Sequence, residues 1–498
     1  MGEPSDLLAS VRELVDRNLV LIAIASVVYW VALSYVKGET RKFPNGMFKV
    51  AGLFDWLVVV HDPKVIDEIR MLPDTVLSSY DAIDEVCGTL FPMLLNWRPT
   101  LFSLPEPSSG VHPGKHISKN PYHVPIVRAQ LTRALPRLVP GVYEEVVVAF
   151  KDFIPPTNDW SSIKVLDTMM KIVARASNRI FVGTPLCRDP DYVNLNVQFT
   201  VDVIKAGSIL RMFPHTLRPI VNKFISKVPK RIEDGLKHLV PLFMERRKER
   251  EEKGADYPEK PLDLLSWLMD EASDKEATDW YLTSRILTVN FAAIHTSSMT
   301  FTHALYYLAA YPKYMQPLRE EVEEVVKRHG WSKDALDEMH HLDSFIKESQ
   351  RLCPLAILLM SRILVKDHVF SDGTMVPKGT TIAVATDTTH LSDERYEDPH
   401  TFDGFRYVKL KGCHNGPAGT ERKYDMVSAT IDSLGFGLGR HACPGRFFAV
   451  SELKMMLAHA VVTYDMKMAD EGVRPEDVWV SAACVPNPTA QVLFRKRA

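Results

Sequence analysis

A single cysteine framed by glycines constrains this chain more than any other feature of its sequence. The segment from Ser433 to Ala449 reads SLGFGLGRHACPGRFFA, and an apolar helical pattern continues from it. Glycine permits positive backbone angles and a close approach of the backbone to a flat ligand, and Pro444 suits the first turn of a helix. Nearby N–H donors and the positive end of that helix lower the pKa of a thiol. The segment therefore favours a Cys443 thiolate that binds a metal. A glycine-rich turn around a buried cysteine and a nucleophilic cysteine are the alternatives.

The composition is that of an ordinary folded protein and excludes several classes. Of 498 residues, 46% are hydrophobic and 24% are charged, which excludes a disordered chain and a membrane protein with many spans. The formal net charge of −2 gives no electrostatic case for binding nucleic acid. The six cysteines include no C-x-x-C pair, which argues against a disulfide scaffold or a structural zinc site and fits a reducing compartment.

An apolar run near the amino terminus predicts a membrane anchor. Residues Leu19 to Val36 contain 18 residues without a charge, and such a helix is about 27 Å long, close to the thickness of a hydrocarbon core. Lysine and arginine are more frequent after the run, which places the rest of the chain in the cytosol. We expect an anchor segment over 1–36, a connector over 37–50 and one continuous domain over 51–498. A cleaved signal peptide fits the acidic flank poorly, and a buried core helix is the other alternative.

The periodicity of the remaining chain predicts a mainly α, helix-rich α+β body with a small sheet. Most of residues 130 to 360 shows helical periodicity. Strand signals concentrate in residues 362 to 384, where β-branched runs alternate with turn residues, as expected for hairpins. The charged segment from 245 to 260 indicates a helix end that runs into a solvated surface connection.

The cysteine segment resembles the haem-binding signature of the cytochrome P450 family, through the pattern F-G-x-G-x-H-x-C-P-G. The resemblance implies the cytochrome P450 fold with haem b (iron protoporphyrin IX), ligated by the Cys443 thiolate, with Phe436 and Gly445 in the cofactor loop. His441 stands where the family usually has arginine, a variant familiar among fungal members. The resemblance assigns His441 to a haem propionate and makes Arg362 a second propionate partner.

A Glu-x-x-Arg pair upstream of the cysteine segment carries a second part of the resemblance. Glu348 and Arg351 stand three residues apart on a predicted helix and can pair on one face of it. An isolated pair of this kind is usually an ordinary surface pair. Its position before the cysteine segment, followed by FDGFR at 402–406, resembles the family pattern. The resemblance assigns Glu348, Arg351 and Arg406 to a buried structural triad that supports the haem loop.

A third match lies in a long apolar helical pattern, at 291–298, which reads FAAIHTSS. The family places a small residue and an acid–threonine pair over the haem, and the pair relays protons to bound oxygen. Here Thr296 matches, whereas His295 replaces the acid. An imidazole titrates near pH 6.5 and is itself able to relay protons. Plain packing is the alternative for both residues. The same replacement is typical of fungal terpenoid oxidases such as ent-kaurene oxidase-like enzymes.

The resemblance also implies a substrate pocket and a reaction. Apolar residues of the same helix and of the segment after the Glu-x-x-Arg helix are expected to contact a hydrophobic substrate, with core packing as the alternative. These residues are Ala292, Ala293, Leu355 and Leu358. The implied activity is a haem-dependent monooxygenase that inserts one oxygen atom from O2 into a small molecule. A terpenoid or steroid-like intermediate of secondary metabolism is the expected substrate.

Electrons are expected from NADPH through a membrane-bound NADPH–cytochrome P450 reductase, because the chain has no dinucleotide-binding motif of its own. Arg440 and Arg446 flank the cysteine and are candidates for contact with an acidic partner. The resemblance further implies a single-pass protein of the endoplasmic reticulum membrane with a cytosolic catalytic domain. Two other functions stay open at this point. One is a haem-thiolate isomerase or dehydratase without a reductase, which the His295 replacement favours, and the other is a non-catalytic, membrane-tethered haem sensor.

Overall fold

The computed structural model describes residues 46–51, 56–79, 82, 117, 120–210, 213, 217–254, 257–413, 419–480 and 482–497. The expected membrane anchor at Leu19 to Val36 lies outside these residues. Within them, no helix is both long enough and apolar enough to span a membrane. The described end of the expected connector over 37–50 runs into strand β1, Met47–Ala51. The chain therefore enters a sheet before that connector was expected to end.

Helices make up most of the described body, as the periodicity predicts. A π-helical stretch, Ile126–Leu131, leads directly into the helix Thr132–Phe153. The helix Val228–Lys253 ends inside the charged segment, where Gly254 has a φ of +88°. The α-helices of five or more residues in the described ranges are α1 Pro63–Met71, α2 Thr132–Phe153, α3 Val165–Phe181, α4 Pro190–Leu210, α5 Arg218–Ile225, α6 Val228–Lys253, α7 Leu264–Glu271, α8 Asp279–Ala310, α9 Met315–His329, α10 Lys333–Glu338, α11 His340–Leu352, α12 Thr386–His390, α13 Arg406–Gly412 and α14 Arg446–Thr463.

Small sheets flank the helices. The largest has five strands in the order β1-β2-β8-β5-β3, and others have the orders β4-β12-β9, β10-β11 and β6-β7. The expected hairpin at Asp372-Gly373 is present, because β6 pairs with β7. The turn at 377–379 does not close a second hairpin, because β8 pairs with β2 and β5 rather than with β7. The strands are β1 Met47–Ala51, β2 Trp56–Val60, β3 Leu77–Ser78, β4 Ser161–Lys164, β5 Leu358–Leu364, β6 His368–Val369, β7 Met375–Val376, β8 Thr381–Ala385, β9 Tyr464–Met468, β10 Val478–Val480, β11 Ala483–Val485 and β12 Gln491–Lys496.

Helix α8 runs through the centre of the core. Its 32 residues correspond to a length of about 48 Å, and it packs against α3, α4, α6, α11 and α14. Because neighbours surround the helix, most of its residues are buried, and its sequence is apolar on almost every face. Any accessible position in its middle therefore faces a space inside the protein.

A cluster of aromatic rings joins α8 to the elements on one side of it. Phe150 of α2 lies edge-on to Phe301 of α8, with ring centroids 6.5 Å apart. The same ring lies 5.0 Å from His459 of α14 and 6.2 Å from Tyr464 of β9. Phe150 is fully buried, so its ring fills the junction of four elements. The packing of α14, which carries the cysteine loop at its start, depends on this junction.

Replacing Phe150 by alanine is expected to lower the free energy of unfolding by about 3–5 kcal/mol, because a fully buried ring is removed and a cavity is left. Phe224 on α5 is 68% exposed and offers a matched control, since Phe224→Ala should change stability by less than about 0.5 kcal/mol. Denaturant midpoints of the two purified variants measure the difference. Equal losses in both variants would contradict the assignment of Phe150 to the core junction.

Candidate active site

Short-range backbone hydrogen bonds fold the Cys443 loop, which we define as residues 434–445. The Cys443 N–H donates to the Phe436 carbonyl at 2.8 Å, and the Gly437 N–H donates to the Leu434 carbonyl at 2.8 Å. Gly437 has a φ of +67°, a left-handed conformation that glycine adopts without strain. The loop therefore needs glycine at this position, as the sequence indicates, and it presents Cys443 just before α14.

The electrostatic environment of the Cys443 thiol differs in part from the expectation. Burial raises the pKa of the thiol, and backbone hydrogen bonds from Gly445 and Arg446 act in the opposite direction. The expected N–H donors are thus present, but they do not outweigh the loss of solvent, so the expectation of a lowered pKa was wrong. Pro444 also lies outside the helix, because α14 begins at Arg446 with Gly445 as its N-cap. A bound metal removes the proton from a coordinating thiol outright.

The structure brings the three residues of the expected triad together. Arg351 donates from Nε and Nη2 to the two carboxylate oxygens of Glu348, each at 2.8 Å. Arg406 Nε donates to Glu348 Oε1 at 3.0 Å. All three side chains are buried. One carboxylate therefore compensates two guanidinium groups away from water.

A chain of contacts leads from the triad to the Cys443 loop. Arg351 Nη1 donates to the His390 carbonyl at 2.6 Å, and the Leu434 N–H donates to His390 Nε2 at 3.0 Å. Burial lowers the pKa of His390 to about 3, so the neutral ring accepts this bond. Gln350 also packs against Gly435, where an added Cβ would lie 2.5 Å from Gln350 Oε1. Sequence reasoning did not find His390, because no motif marks it.

The two expected propionate partners lie near one another beside the Cys443 loop. His441 Nε2 lies 3.0 Å from Asp74 Oδ1. Arg362 is buried, and burial lowers its pKa to about 10 while Asp74 acts in the opposite direction. Burial also lowers the pKa of His441, and the charge of Arg362 adds to this shift. Asp74 therefore interacts electrostatically with both Arg362 and His441. Sequence reasoning did not single out this residue.

These residues fit haem. A buried guanidinium is costly without an anion, and Arg362 together with the His441 N–H offers partners for carboxylates. The Cys443 sulfur, with backbone N–H donors on its side of the loop, offers the thiolate that a haem iron requires. The donor set thus matches a group that combines a thiolate-binding iron with carboxylate arms.

Three consecutive residues of α8 face three different surroundings. His295 Nε2 lies 3.3 Å from the Val197 carbonyl of α4 and donates to it, and burial lowers the pKa of the ring. Ser297 lies beside the carboxyl group of Glu452 on α14, a buried acid whose pKa is raised to about 8 by its burial. Thr296, between them, is exposed. Its hydroxyl therefore reaches a space bordered by α4 on one side and α14 on the other.

The Thr296 hydroxyl bonds within its own helix. It donates to the Ala292 carbonyl at 2.7 Å and lies 3.3 Å from the Ala293 carbonyl. Ala292 is exposed and Ala293 half-buried, although Asn290 and Ile294 nearby on α8 are buried. The small side chains and the threonine oxygen thus share one accessible patch in the middle of a covered helix.

The other two expected substrate contacts lie where α11 passes into β5. Leu355 is half-buried, and its carbonyl accepts the Cys484 N–H at 3.2 Å. Leu358 is also half-buried and packs against a small cluster that contains Val59 and Ala385 of the five-stranded sheet. Part of the Leu358 side chain therefore serves the packing of the sheet, which was the alternative for this segment.

Comparison with known proteins assigns the chain to a family. The family model described as Cytochrome P450 matches residues 121–494. The chain is 39% identical over 455 residues to Cytochrome P450 monooxygenase 151 of Postia placenta, which covers 91% of this chain and 86% of that relative. It is 33% identical over 473 residues to Cytochrome P450 monooxygenase AN1598 of Emericella nidulans, covering 94% of this chain and 83% of that relative.

A solved structure shares the fold. The retinoic acid bound cyanobacterial CYP120A1 matches with a TM-score of 0.66 and 17% identity, covering 93% of this chain and 94% of that chain. This likeness shows the helix-rich fold with small sheets, whereas the family assignment rests on the sequence matches. The chain belongs to the cytochrome P450 family and is a haem monooxygenase whose iron is ligated by a cysteine thiolate.

Proposed function

We propose that Cys443 is the cysteine that ligates the haem iron, and that the enzyme oxidises a hydrophobic terpenoid or steroid-like molecule with electrons from NADPH through a reductase. The Cys443 loop carries this proposal. Its thiol receives backbone hydrogen bonds from Gly445 and Arg446, and the loop is tied to the buried triad through His390. When bound, haem would supply the activation of dioxygen, and ligation by the Cys443 thiolate would favour cleavage of the O–O bond.

The other described cysteines offer a poorer ligand. Cys413 is exposed, and Cys187 is buried where desolvation and Glu145 raise its pKa to about 11. Cys353 and Cys484 lie in a separate polar cluster in which Arg474 Nη2 already contacts the Cys353 sulfur at 3.1 Å. Cys443 alone among these lies in the glycine-rich loop at the start of a long helix. The proposed sulfur ligand thus lies two residues before the N-cap of a long helix.

Two further parts of the chain hold the cofactor in this proposal. Arg362 and His441 donate to the propionates, which places buried donors against carboxylates. The Cys443 backbone is fixed by its bond to Phe436 and by the link from the triad to Leu434. The sulfur is therefore held at a defined position before the cofactor binds, and this reduces the cost of ordering the loop.

In this proposal, the proton that the bound oxygen needs is delivered through Thr296. Its hydroxyl donates to the Ala292 carbonyl, so its oxygen has lone pairs free to accept a hydrogen bond from the accessible patch. His295 uses its Nε2 proton on the Val197 carbonyl, so proton exchange at this ring has to pass through Nδ1. We assign Thr296 the direct contact and His295 the secondary one.

The substrate class follows from the lining. Ala292 and Ala293 form an accessible patch beside Thr296, and Leu355 is a further half-buried apolar candidate. Neutral, apolar side chains favour a ligand that gains by leaving water. A terpenoid or steroid-like molecule has that character. The replacement of the acid by His295 supports this choice, because it is typical of fungal terpenoid oxidases.

The partner is proposed to dock on the outer face of the Cys443 loop. A groove of about 1080 Å³ there is lined by Gly439, Ala442 and Arg446 of the loop and the helix that follows it. Lysine and arginine outnumber aspartate and glutamate along it, which favours an acidic partner. These basic residues are Arg70, Lys333, Lys411, Arg422, Lys423, Arg446 and Lys454. We further propose that the apolar run at Leu19 to Val36 anchors the enzyme in the endoplasmic reticulum membrane, where a membrane-bound reductase would reach this groove.

Cys443→Ser is expected to abolish the red-shifted Soret band of the reduced, carbon monoxide-bound protein, because an alcohol does not supply the thiolate that causes this shift. The measurement is a difference spectrum on protein whose haem content is determined separately. Cys413→Ser, which removes an exposed thiol, should leave the band unchanged. A band that persists in Cys443→Ser would refute the assignment of the ligand.

Glu348→Gln is expected to destabilise the protein by about 3–5 kcal/mol, because two buried guanidinium groups lose their shared carboxylate. Haem retention should fall with it, since the triad holds the Cys443 loop. Glu324→Gln is the control, because Glu324 is 76% exposed and lies 3.9 Å from Arg328; surface pairs of this kind contribute at most about 1 kcal/mol. Denaturant midpoints and haem content report both effects. Equal behaviour of the two variants would contradict the supporting role.

Thr296→Ala is expected to reduce product formed per NADPH consumed, with the rate of product formation falling by about 10²-fold, since proton delivery is lost. Thr302→Ala is the matched control. Thr302 lies on the same helix and donates to the Ser298 carbonyl at 2.7 Å, but it is buried. The assay co-expresses each variant with a reductase and a panel of diterpenes, sesquiterpenes and steroids.

Two results would count against this part of the proposal. Unchanged coupling in Thr296→Ala would remove the proton role from Thr296. Product formation without NADPH or reductase would favour the isomerase or dehydratase, and it would overturn the proposed electron source while leaving the Cys443 assignment intact.

A further inference from the structure

A buried polar cluster outside the active site joins three parts of the chain. His303 lies on α8, Cys353 follows α11, and Arg474 and Asp477 precede β10. Arg474 Nη2 lies 2.9 Å from His303 Nδ1, 3.1 Å from Cys353 Sγ and 2.7 Å from Asp477 Oδ1. The Tyr307 hydroxyl lies 3.7 Å from Cys353 Sγ. The proposed mechanism uses none of these residues.

The cluster is not arranged for a metal ion. The candidate ligand atoms of His303, Cys353 and Asp477 all lie within 4.8 Å of one another. Arg474 Nη2, however, contacts an atom of each of the three residues. The guanidinium thus supplies the positive charge that a metal would supply, and Cys353 lies against a cation as a thiolate does.

A second thiol lies within reach of the first. Cys484 is at the middle of β11, and its N–H donates to the Leu355 carbonyl at 3.2 Å, while the Ile357 N–H donates to the Ala482 carbonyl at 2.9 Å. These bonds align β11 with the segment that follows Cys353. The two thiols lie near enough to change each other's ionisation. Two buried thiols are therefore held side by side by backbone pairing.

The environment of the two thiols is unequal. The Cys484 thiol, His303 and Arg474 all favour the anion at Cys353 and lower its pKa. The pKa of Cys484 is raised, chiefly by its neighbour Cys353. The contact with Arg474 leads to the same assignment, because its Nη2 donates to the Cys353 sulfur at 3.1 Å. Asp477 Oδ2 also lies 3.4 Å from that sulfur, and the same guanidinium offsets the charge of this carboxylate through its bond to Asp477 Oδ1 at 2.7 Å. Cys353 is thus the nucleophile of the pair and Cys484 carries the proton.

We propose that Cys353 and Cys484 form an oxidisable dithiol, a modification site at which hydrogen peroxide converts Cys353 to a sulfenic acid and Cys484 then closes a disulfide. In the first step the Cys353 sulfur attacks one peroxide oxygen, the O–O bond breaks, and the leaving hydroxide takes a proton to become water. In the second step the Cys484 sulfur attacks the Cys353 sulfur, the S–O bond breaks, and the Cys484 proton leaves with the hydroxyl as a second water. Two thiols are oxidised by two electrons, and one peroxide is reduced to two waters.

The test uses the reduced, full-length holoprotein and a limited amount of hydrogen peroxide. Remaining thiols are alkylated under denaturing conditions, and peptides are analysed by mass spectrometry without reduction. The expected product is a Cys353 peptide linked to the Cys484 peptide, formed at least 10-fold faster than any oxidation of Cys187. Cys187 is the matched control, since it is also buried but its pKa is raised to about 11.

Variants separate the two steps. In Cys484→Ser the linked peptide should be absent, and dimedone should label Cys353, because the sulfenic acid has no thiol to resolve it. In Cys353→Ser neither product should form. Exposed Cys413 reports whether peroxide reached the protein. Full oxidation of Cys413 with Cys353 still free, or a Cys353 link to a different cysteine, would overturn the proposal.

Discussion

The active site depends on one buried carboxylate that two guanidinium groups share. Glu348 accepts from Arg351 and Arg406, and removing such charges from water costs several kcal/mol for each ion. Further hydrogen bonds offset that cost, since Arg351 also donates to the carbonyls of His390 and Pro399, each at 2.6 Å. The triad therefore fixes backbone as well as side chains. It is this backbone, through His390, that reaches the Cys443 loop.

The two cysteines with proposed functions show how surroundings decide the chemistry of one side chain. Cys443 lies in a glycine-rich loop where burial raises its pKa and backbone N–H groups only partly compensate, so a metal has to complete the thiolate. Cys353 lies against Arg474, and its pKa is lowered by Cys484, His303 and Arg474. The first sulfur is suited to iron, whereas the second is suited to reaction with an oxidant. The charges placed beside a cysteine thiol thus decide whether it is suited to metal ligation or to redox chemistry.

Local sequence patterns predicted residues that act over short distances, and the family resemblance added Arg406 of the triad, but neither found His390 or Asp74. The glycine requirement at Gly437, the Glu348–Arg351 pair and the strands around Arg362 follow from local spacing, and the structure has them. The net direction of the Cys443 pKa was wrong, because spacing identifies N–H donors but not the degree of burial that opposes them. His390 and Asp74 were missed for a related reason. Each meets the site only through tertiary packing, and a lone histidine or aspartate in a sequence carries no signal of its eventual neighbours.

Helix α8 buries many hydroxyl groups in an apolar core by pairing them with its own carbonyl groups. Thr296 differs from these residues in its accessibility. Thr302 and Ser298 are buried, and each satisfies its hydroxyl by donating to the carbonyl four residues earlier, at 2.7 and 2.6 Å. Such bonds allow a polar side chain to be buried at little cost. Thr296 makes the same bond to Ala292, yet its position on the helix is exposed. Its oxygen therefore keeps accepting capacity on the accessible side, while the backbone bond fixes its rotamer. The neighbouring threonines and serines have the same chemistry but no access, so it is the rotation of the helix against α4 and α14, rather than residue type, that selects Thr296.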